Sequence, residues 1–202
     1  MQLIEDQLYH IYNQGNNKSK IFFKKDNYLF FLKKFEKYIL PNVKVIAYCL
    51  MPNHFHFLLY TTACSVKEKK TGGIYLTSLA DGFRQLLSSY AQAINKQEGR
   101  SGSLFRQKTK AKLLDTQDRN YPFACFNYIH QNPLNAGLVD KMENWEFSSF
   151  QDYIGLRNNS ICDIGLAFEL LDISRETFYE QSYQVIVGEK MDFLQPSDSC
   201  KL

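Results

Sequence analysis

Residues 43–62 read VKVIAYCLMPNHFHFLLYTT, and the reading of this run decides the fold. β-Branched and aromatic residues fill both halves, and Pro52–Asn53 between them is a turn signal. The run therefore predicts a β-hairpin, with strands over 43–51 and 54–62. On a strand, positions i and i+2 share a face, roughly 6.5–7 Å apart at Cα. His54 and His56 thus project together, while Phe55, Phe57 and Leu59 project the other way, toward helices. Two imidazoles on one strand can hold a divalent cation, with water or phosphate oxygens completing its shell. The competing reading is two partly buried histidines that only hydrogen-bond, and an HxH pattern by itself does not separate the two.

Working outward, QLYHIYNQG (7–15) alternates and ends at glycine, as a strand does. Asp26 is placed to cap a helix over 27–40, and Pro41–Asn42 breaks the chain before the hairpin. After the hairpin, 65–75 reads as a polar loop and 76–97 as a long amphipathic helix containing Gly82. A glycine-rich loop precedes a strand over 104–115, along which Lys108, Lys110 and Lys112 alternate. The next helix, 118–131, is expected to be capped by Asp118, to hold Pro122 in its first turn and to end at Pro133. Residues 144–153 read as extended packing over the core, 163–190 as two short helices, and 195–202 as a loose tail. The order β-α-β-β-α-β-α argues for an α+β fold with an antiparallel or mixed sheet and helices on one face. Residues 1–160 are expected to form the main domain and 161–202 a helical extension.

The chain's 202 residues, 45% of them hydrophobic and 15% aromatic, suffice for one sizeable core and argue against wholesale disorder. No apolar run approaches the ~20 residues of a membrane span, and MQLIEDQLYH lacks the pattern of a secretory leader. Five cysteines with no CxxC pair read as reduced thiols of a cytoplasmic protein. The net charge of +3 is uneven: residues 1–162 hold 21 basic and 13 acidic side chains, whereas 163–202 hold 3 and 8. The basic part is the one with the histidine pair, which suits a polyanionic partner.

VIAYCLMPNHFHFLL (45–59) closely resembles the core motif of the HUH single-tyrosine transposases, in particular the REP-associated tyrosine transposases. YHIYNQGNNKSKIFF (9–23), GRSGSLFRQKTKAKLL (99–114), FNYIHQNPLNAGLV (126–139) and NWEFSSFQDY (144–153) resemble further segments of that family, in its order. The resemblance implies a ferredoxin-like antiparallel sheet with helices packed on it. It also implies a cytoplasmic bacterial enzyme that cleaves and transfers single-stranded DNA, at palindromic hairpins, through a 5′-phosphotyrosine. On this view Tyr128 is the nucleophile. His54 and His56 are ligands of Mg2+ or Mn2+, and Asn132, four residues beyond Tyr128, is a further ligand or support. Lys18, Lys20, Arg100, Arg106, Lys108, Lys110 and Lys112 are candidate phosphate contacts, with Phe105 a candidate for stacking a splayed base. Tyr121, Tyr60, Tyr90 and Tyr48 are alternative nucleophiles, and His130 is expected to pack or hydrogen-bond. A monomer and a homodimer both fit. The rival readings are a catalytically silent DNA-binding protein on the same fold and a metal hydrolase that uses water.

Overall fold

The computed structural model describes residues 2–114, 120–158 and 160–184. In chain order these contain β1 (Leu8–Gln14), α1 (Lys25–Tyr38), β2 (Val43–Met51), β3 (His54–Thr61), α2 (Ala63–Val66), β4 (Glu68–Thr71), β5 (Ile74–Thr77) and α3 (Ser78–Gln97). Then follow β6 (Lys110–Leu113), α4 (Asn120–Asn135), α5 (Phe150–Tyr153), α6 (Ile164–Leu171) and α7 (Phe178–Ser182). Strands β2, β3, β1 and β6 pair in that order, each pair antiparallel. With α2, β4 and β5 set aside, the connectivity β1-α1-β2-β3-α3-β6 is the ferredoxin-like arrangement.

The hairpin forms as the sequence predicts. Met51 faces His54 across a two-residue turn at Pro52–Asn53. The loop after β1 closes over that turn: Gly15 N donates to Asn53 O, and Ile21 N and Phe22 N both donate to Pro52 O. Gly15 has to be glycine, because a Cβ there would lie 2.0 Å from Ser19 O.

One face of the sheet packs on α1 and α3. Phe55, Phe57 and Leu59 meet Phe31 and Phe35 of α1 and Leu79, Phe83, Leu86 and Tyr90 of α3, all at helical spacing. Phe35 and Phe57 stack with centroids 4.3 Å apart. Burying one such ring contributes on the order of 3 kcal/mol. The other face is also apolar, with Leu8, Ala47, Met51 and Leu58 against Cys125, Phe126 and Ile129 of α4. Helices therefore cover both faces, not one. A bulge in β2 between Val45 and Ala47 sets this up. Ile46 and Ala47 both belong to the α4 side, so Cys49 and Met51 face α4 while Tyr48 and Leu50 face α1 and α3.

Several other expectations change. Asp26 lies in the first turn of α1, and the capping acceptor is Asn27 Oδ1, which receives Phe23 N and Lys24 N. Residues 68–77 are a two-stranded ribbon and not a loop. Its Gly72–Gly73 turn has φ of 57° and 87°, the primed geometry that suits a two-residue hairpin. Helix α4 runs past Pro133 to Asn135. Only the last turn follows the proline, and Gly137 (φ 66°) closes it with Leu138 N bonding Pro133 O and Gly137 N bonding Leu134 O. Strand β6 is shorter than expected, so Lys108 precedes it. In the 144–153 stretch, Leu50 N donates to Phe147 O and Ser149 N to Tyr48 O, extending along β2 before the chain turns into α5. Asp118 and the 195–202 tail lie outside the described residues. Helices α6 and α7 pack on α4 and β2, and Gln131 Nε2 of α4 donates to Ser182 O and Gln184 O.

Candidate active site

His54 and His56 lie on the α4 face of β3, with ring centroids 4.9 Å apart and nearly perpendicular planes. Their cross-strand partners on β1 are Gln14 and Tyr12. A chain of hydrogen bonds fixes His54. Asn53 Nδ2 donates to Lys18 O, which turns Asn53 Oδ1 toward His54 Nδ1 at 2.6 Å. Only a protonated Nδ1 satisfies that contact, so the neutral ring presents a lone pair at Nε2. Nε2 faces Asn132 Oδ1 at 3.4 Å, and Asn132 is held in that orientation because its Nδ2 donates to Tyr128 O at 2.9 Å. Two acceptors thus face each other across a gap suited to a shared cation.

Tyr128 comes from α4 and places its ring edge-on to His56, centroids 5.5 Å apart, and 6.4 Å from His10. His54 and Tyr128 are each 7% exposed, whereas His56 is fully buried. His56 Nε2 has no hydrogen-bond partner among the described residues. Burial lowers the pKa of His54 to about 4, against a smaller rise from Asn132, and it lowers His56 well below the usual histidine value, helped by its two neighbouring histidines. Both rings are therefore neutral at physiological pH, as cation ligands must be. Among the described residues no three His, Cys, Asp or Glu side chains form a metal set. The donors on offer are two imidazoles and an amide oxygen.

Two side chains at this site carry no signal in the sequence motifs. His10 Nε2 lies 2.8 Å from His56 Nδ1, and Tyr12 lies 4.8 Å from His10 and 5.8 Å from His56, centroid to centroid. Both sit on β1 at alternating positions, so the strand pattern puts them on one face. Only the register with β3 brings that face to the histidine pair. Three of the alternative tyrosines are less well placed. Tyr90 and Tyr48 belong to the opposite face, their hydroxyls bonded to Ile21 O and Arg157, and Tyr60 lies at the far end of β3. Tyr121 lies under Lys112 Nζ, 5.2 Å from its ring centroid. His130 is buried behind α4, 2.7 Å from Ser149 Oγ.

The basic residues surround the site unevenly. Lys18 and Lys20 are exposed on the loop that closes the hairpin turn, and Arg106 N donates to Gln14 O at the end of β1. Lys110 and Lys112 face Tyr12 and His10 across β1–β6. Lys108 is exposed just before β6, and Arg100 follows the end of α3. Phe105 does not stack outward: it is 6% exposed and packs among Phe55 and Tyr90, because its bridge to Gly15 turns it into the α1–α3 core.

Burial also lowers His10 and His130 to about 3, with Lys112 adding to the effect at His10. The unfolded chain binds protons at these rings near pH 6.5 and the folded chain does not. Stability is thus undiminished above about 6.5 and lost as pH falls toward 3–4, by up to about 1.4 kcal/mol per pH unit for each such ring. A thermal midpoint that falls steadily between pH 7 and 5 is the expected result. A flat profile there would contradict neutral buried imidazoles.

No protein-family model matches the sequence, and no curated protein matches it. Among solved structures, a REP-associated tyrosine transposase bound to a REP hairpin aligns with a TM-score of 0.56 at 16% identity. The alignment covers 81% of this chain and 90% of that chain. The chain has the fold of a REP-associated tyrosine transposase. Two structures of a bacterial tRNA(His) guanylyltransferase (Thg1)-like protein also align. The complex with GTP gives a TM-score of 0.39 at 12% identity over 67% of this chain and 68% of that one. The complex with ATP gives 0.41 at 10% identity over 67% and 61%. Both scores are too low to indicate a shared fold. Among the described residues no helix is long and apolar enough to cross a membrane.

Proposed function

We propose that this chain belongs with the REP-associated tyrosine transposases and cleaves and rejoins single-stranded DNA at hairpin-forming repeats, with Tyr128 as nucleophile. The observation that supports it best is a convergence on one sheet face. Tyr128 packs 5.5 Å from His56, and Asn132, one helical turn on, reaches His54 at 3.4 Å. The transposase-like fold and the basic residues around the face support the same reading.

A phenol with a pKa near 10 is a weak nucleophile at neutral pH. Attack of the Tyr128 oxygen on phosphorus displaces the 3′ oxygen and leaves a 5′-phosphotyrosine close in energy to the broken phosphodiester. The liberated 3′ hydroxyl can attack that linkage in turn, so rejoining needs no ATP. A cation held by His54 Nε2, His56 Nε2 and Asn132 Oδ1 would neutralise charge on the scissile phosphate and polarise its oxygen. Two imidazoles and one amide leave room for phosphate and water oxygens, which suits Mg2+ or Mn2+. The rigid strand holds both imidazoles, and Asn53 fixes the tautomer of His54. All three ligands and the nucleophile come from one chain, which supports a site complete within one subunit.

The test is incubation of labelled single-stranded hairpins with the protein and Mn2+, followed by denaturing electrophoresis. A covalent adduct whose peptide map ends at Tyr128 is the expected result. Tight binding with no adduct would favour the silent DNA-binding reading. Lys110 and Lys112, beside Tyr12 and His10, are proposed phosphate contacts. Replacing both with glutamine is expected to weaken hairpin binding about tenfold near 0.1 M salt, and to lower the salt slope by about 0.7 per lost contact. An unchanged slope in a filter-binding titration would remove these lysines from the interface.

A further inference from the structure

The buried contact between His10 and His56 bears on how the site is built. The rings stack with centroids 5.0 Å apart at 22°, and His10 Nε2 lies 2.8 Å from His56 Nδ1. Both are fully buried, so water cannot substitute for either partner. Between two neutral rings this bond holds one proton, which leaves two arrangements. If His10 donates, His56 Nδ1 accepts and His56 Nε2 carries the second hydrogen. If His56 donates from Nδ1, His56 Nε2 is left with a lone pair. Only the second arrangement lets Nε2, which has no protein partner, take a cation beside His54 Nε2 and Asn132 Oδ1.

We infer that His10 is a positioning residue: it accepts the hydrogen bond of His56 Nδ1–H and so fixes the tautomer and rotation that aim His56 Nε2 at the cation. The inference rests on the metal-site reading above. With its Nε2 accepting, the hydrogen of His10 sits on Nδ1, which is buried with no hydrogen-bond partner among the described residues. An unpaired buried donor is unfavourable for folding, so the His10–His56 pair is held at a cost in stability that two apolar side chains would not carry. The neighbours of His10 offer no relief: Leu58 and Lys112 flank it on the adjoining strands, and the rings of Tyr12 and Tyr128 pack against it.

The role separates from a structural one in three proteins titrated with Mn2+ alone, free Mn2+ being read by electron paramagnetic resonance. His10→Phe is expected to weaken Mn2+ binding 10–100-fold and, because it leaves His56 Nδ1–H buried without an acceptor, to lower the unfolding temperature of the metal-free protein as well. His10→Gln, whose amide oxygen can accept from His56 Nδ1–H, is expected to recover most of the affinity. Unchanged affinity in His10→Phe overturns the inference, as does a His10→Gln no better than His10→Phe. If His10→Phe fails to fold, long-range 1H–15N spectra of the wild type with Mg2+ decide the matter. A protonated Nδ1 on His56 supports the role and a protonated Nε2 overturns it. A wild type that binds no Mn2+ at all would instead remove the metal-site reading itself.

Discussion

Tyr128→Phe is expected to eliminate the covalent DNA adduct and to lower strand cleavage by at least about 1,000-fold, which is about 4 kcal/mol of lost transition-state stabilisation. The substitution removes the hydroxyl and leaves the ring. The ring keeps its edge-on contact with His56 and its place in the apolar cluster that joins α4 to the sheet. The backbone bond from Asn132 Nδ2 goes to Tyr128 O and is untouched. Stability should therefore change by no more than about 1–1.5 kcal/mol, and hairpin binding should stay within a few-fold. That dissociation of cleavage from binding is what separates the nucleophile from a core tyrosine. Cleavage that persists in Tyr128→Phe would point to water as nucleophile. An adduct that persists would point to another phenol, with Tyr12 the first to examine, since its ring lies 5.8 Å from His56.

The outcome for Tyr12 shows what local pattern conveys and what it does not. The hairpin, the shared face of His54 and His56 and the one-turn spacing of Tyr128 and Asn132 are all local. They follow from a two-residue strand period and a 3.6-residue helix period, and the structure has each of them. His10 and Tyr12 needed more. Their strand was legible, but its pairing with β3, which sets His10 opposite Leu58 and Tyr12 opposite His56, depends on contacts 46 residues apart. The bulge at Ile46 is likewise silent in the sequence, because Val-Ile-Ala reads as unbroken strand, yet it decides which side chains of β2 face α4. The apolar residues on both faces of β2 and β3 were visible, and reading them as a strand buried on both sides would have called for helices on each face. Phe105 failed as a stacking residue for a similar reason: basic neighbours suggested an exposed ring, but its bridge to Gly15 commits it to the core. The β4–β5 ribbon was hidden by its charge, since Glu68, Lys69 and Lys70 are exposed and make no apolar pattern. Only the adjacent glycines marked the turn.

His54→Ala carries the second large effect, and it tests the proposed metal site with less structural damage than His56→Ala. His56 is fully buried between His10 and Tyr128, so its removal would leave a cavity and an unpaired His10. His54 is 7% exposed at the mouth of the site, and its two partners are amides that water can satisfy. Loss of one of the two proposed imidazole ligands should weaken Mn2+ binding by two orders of magnitude or more and cut cleavage on the order of 100–1,000-fold, roughly 3–4 kcal/mol. DNA binding, which the proposed function assigns to phosphate contacts away from the imidazoles, should change little. Asn132→Ala is expected to act in the same direction and more weakly, near tenfold, because a hard phosphate or water oxygen can replace an amide oxygen but not an imidazole. The ordering His54→Ala worse than Asn132→Ala, with chelator abolishing the wild-type reaction and Mn2+ restoring it, distinguishes a cation site from a hydrogen-bonded pair. If chelation leaves cleavage intact and both variants lose it equally, the side chains act on the phosphate directly as hydrogen-bond donors. The neutral His54 ring held by Asn53 argues against that, because its one hydrogen is already committed at Nδ1.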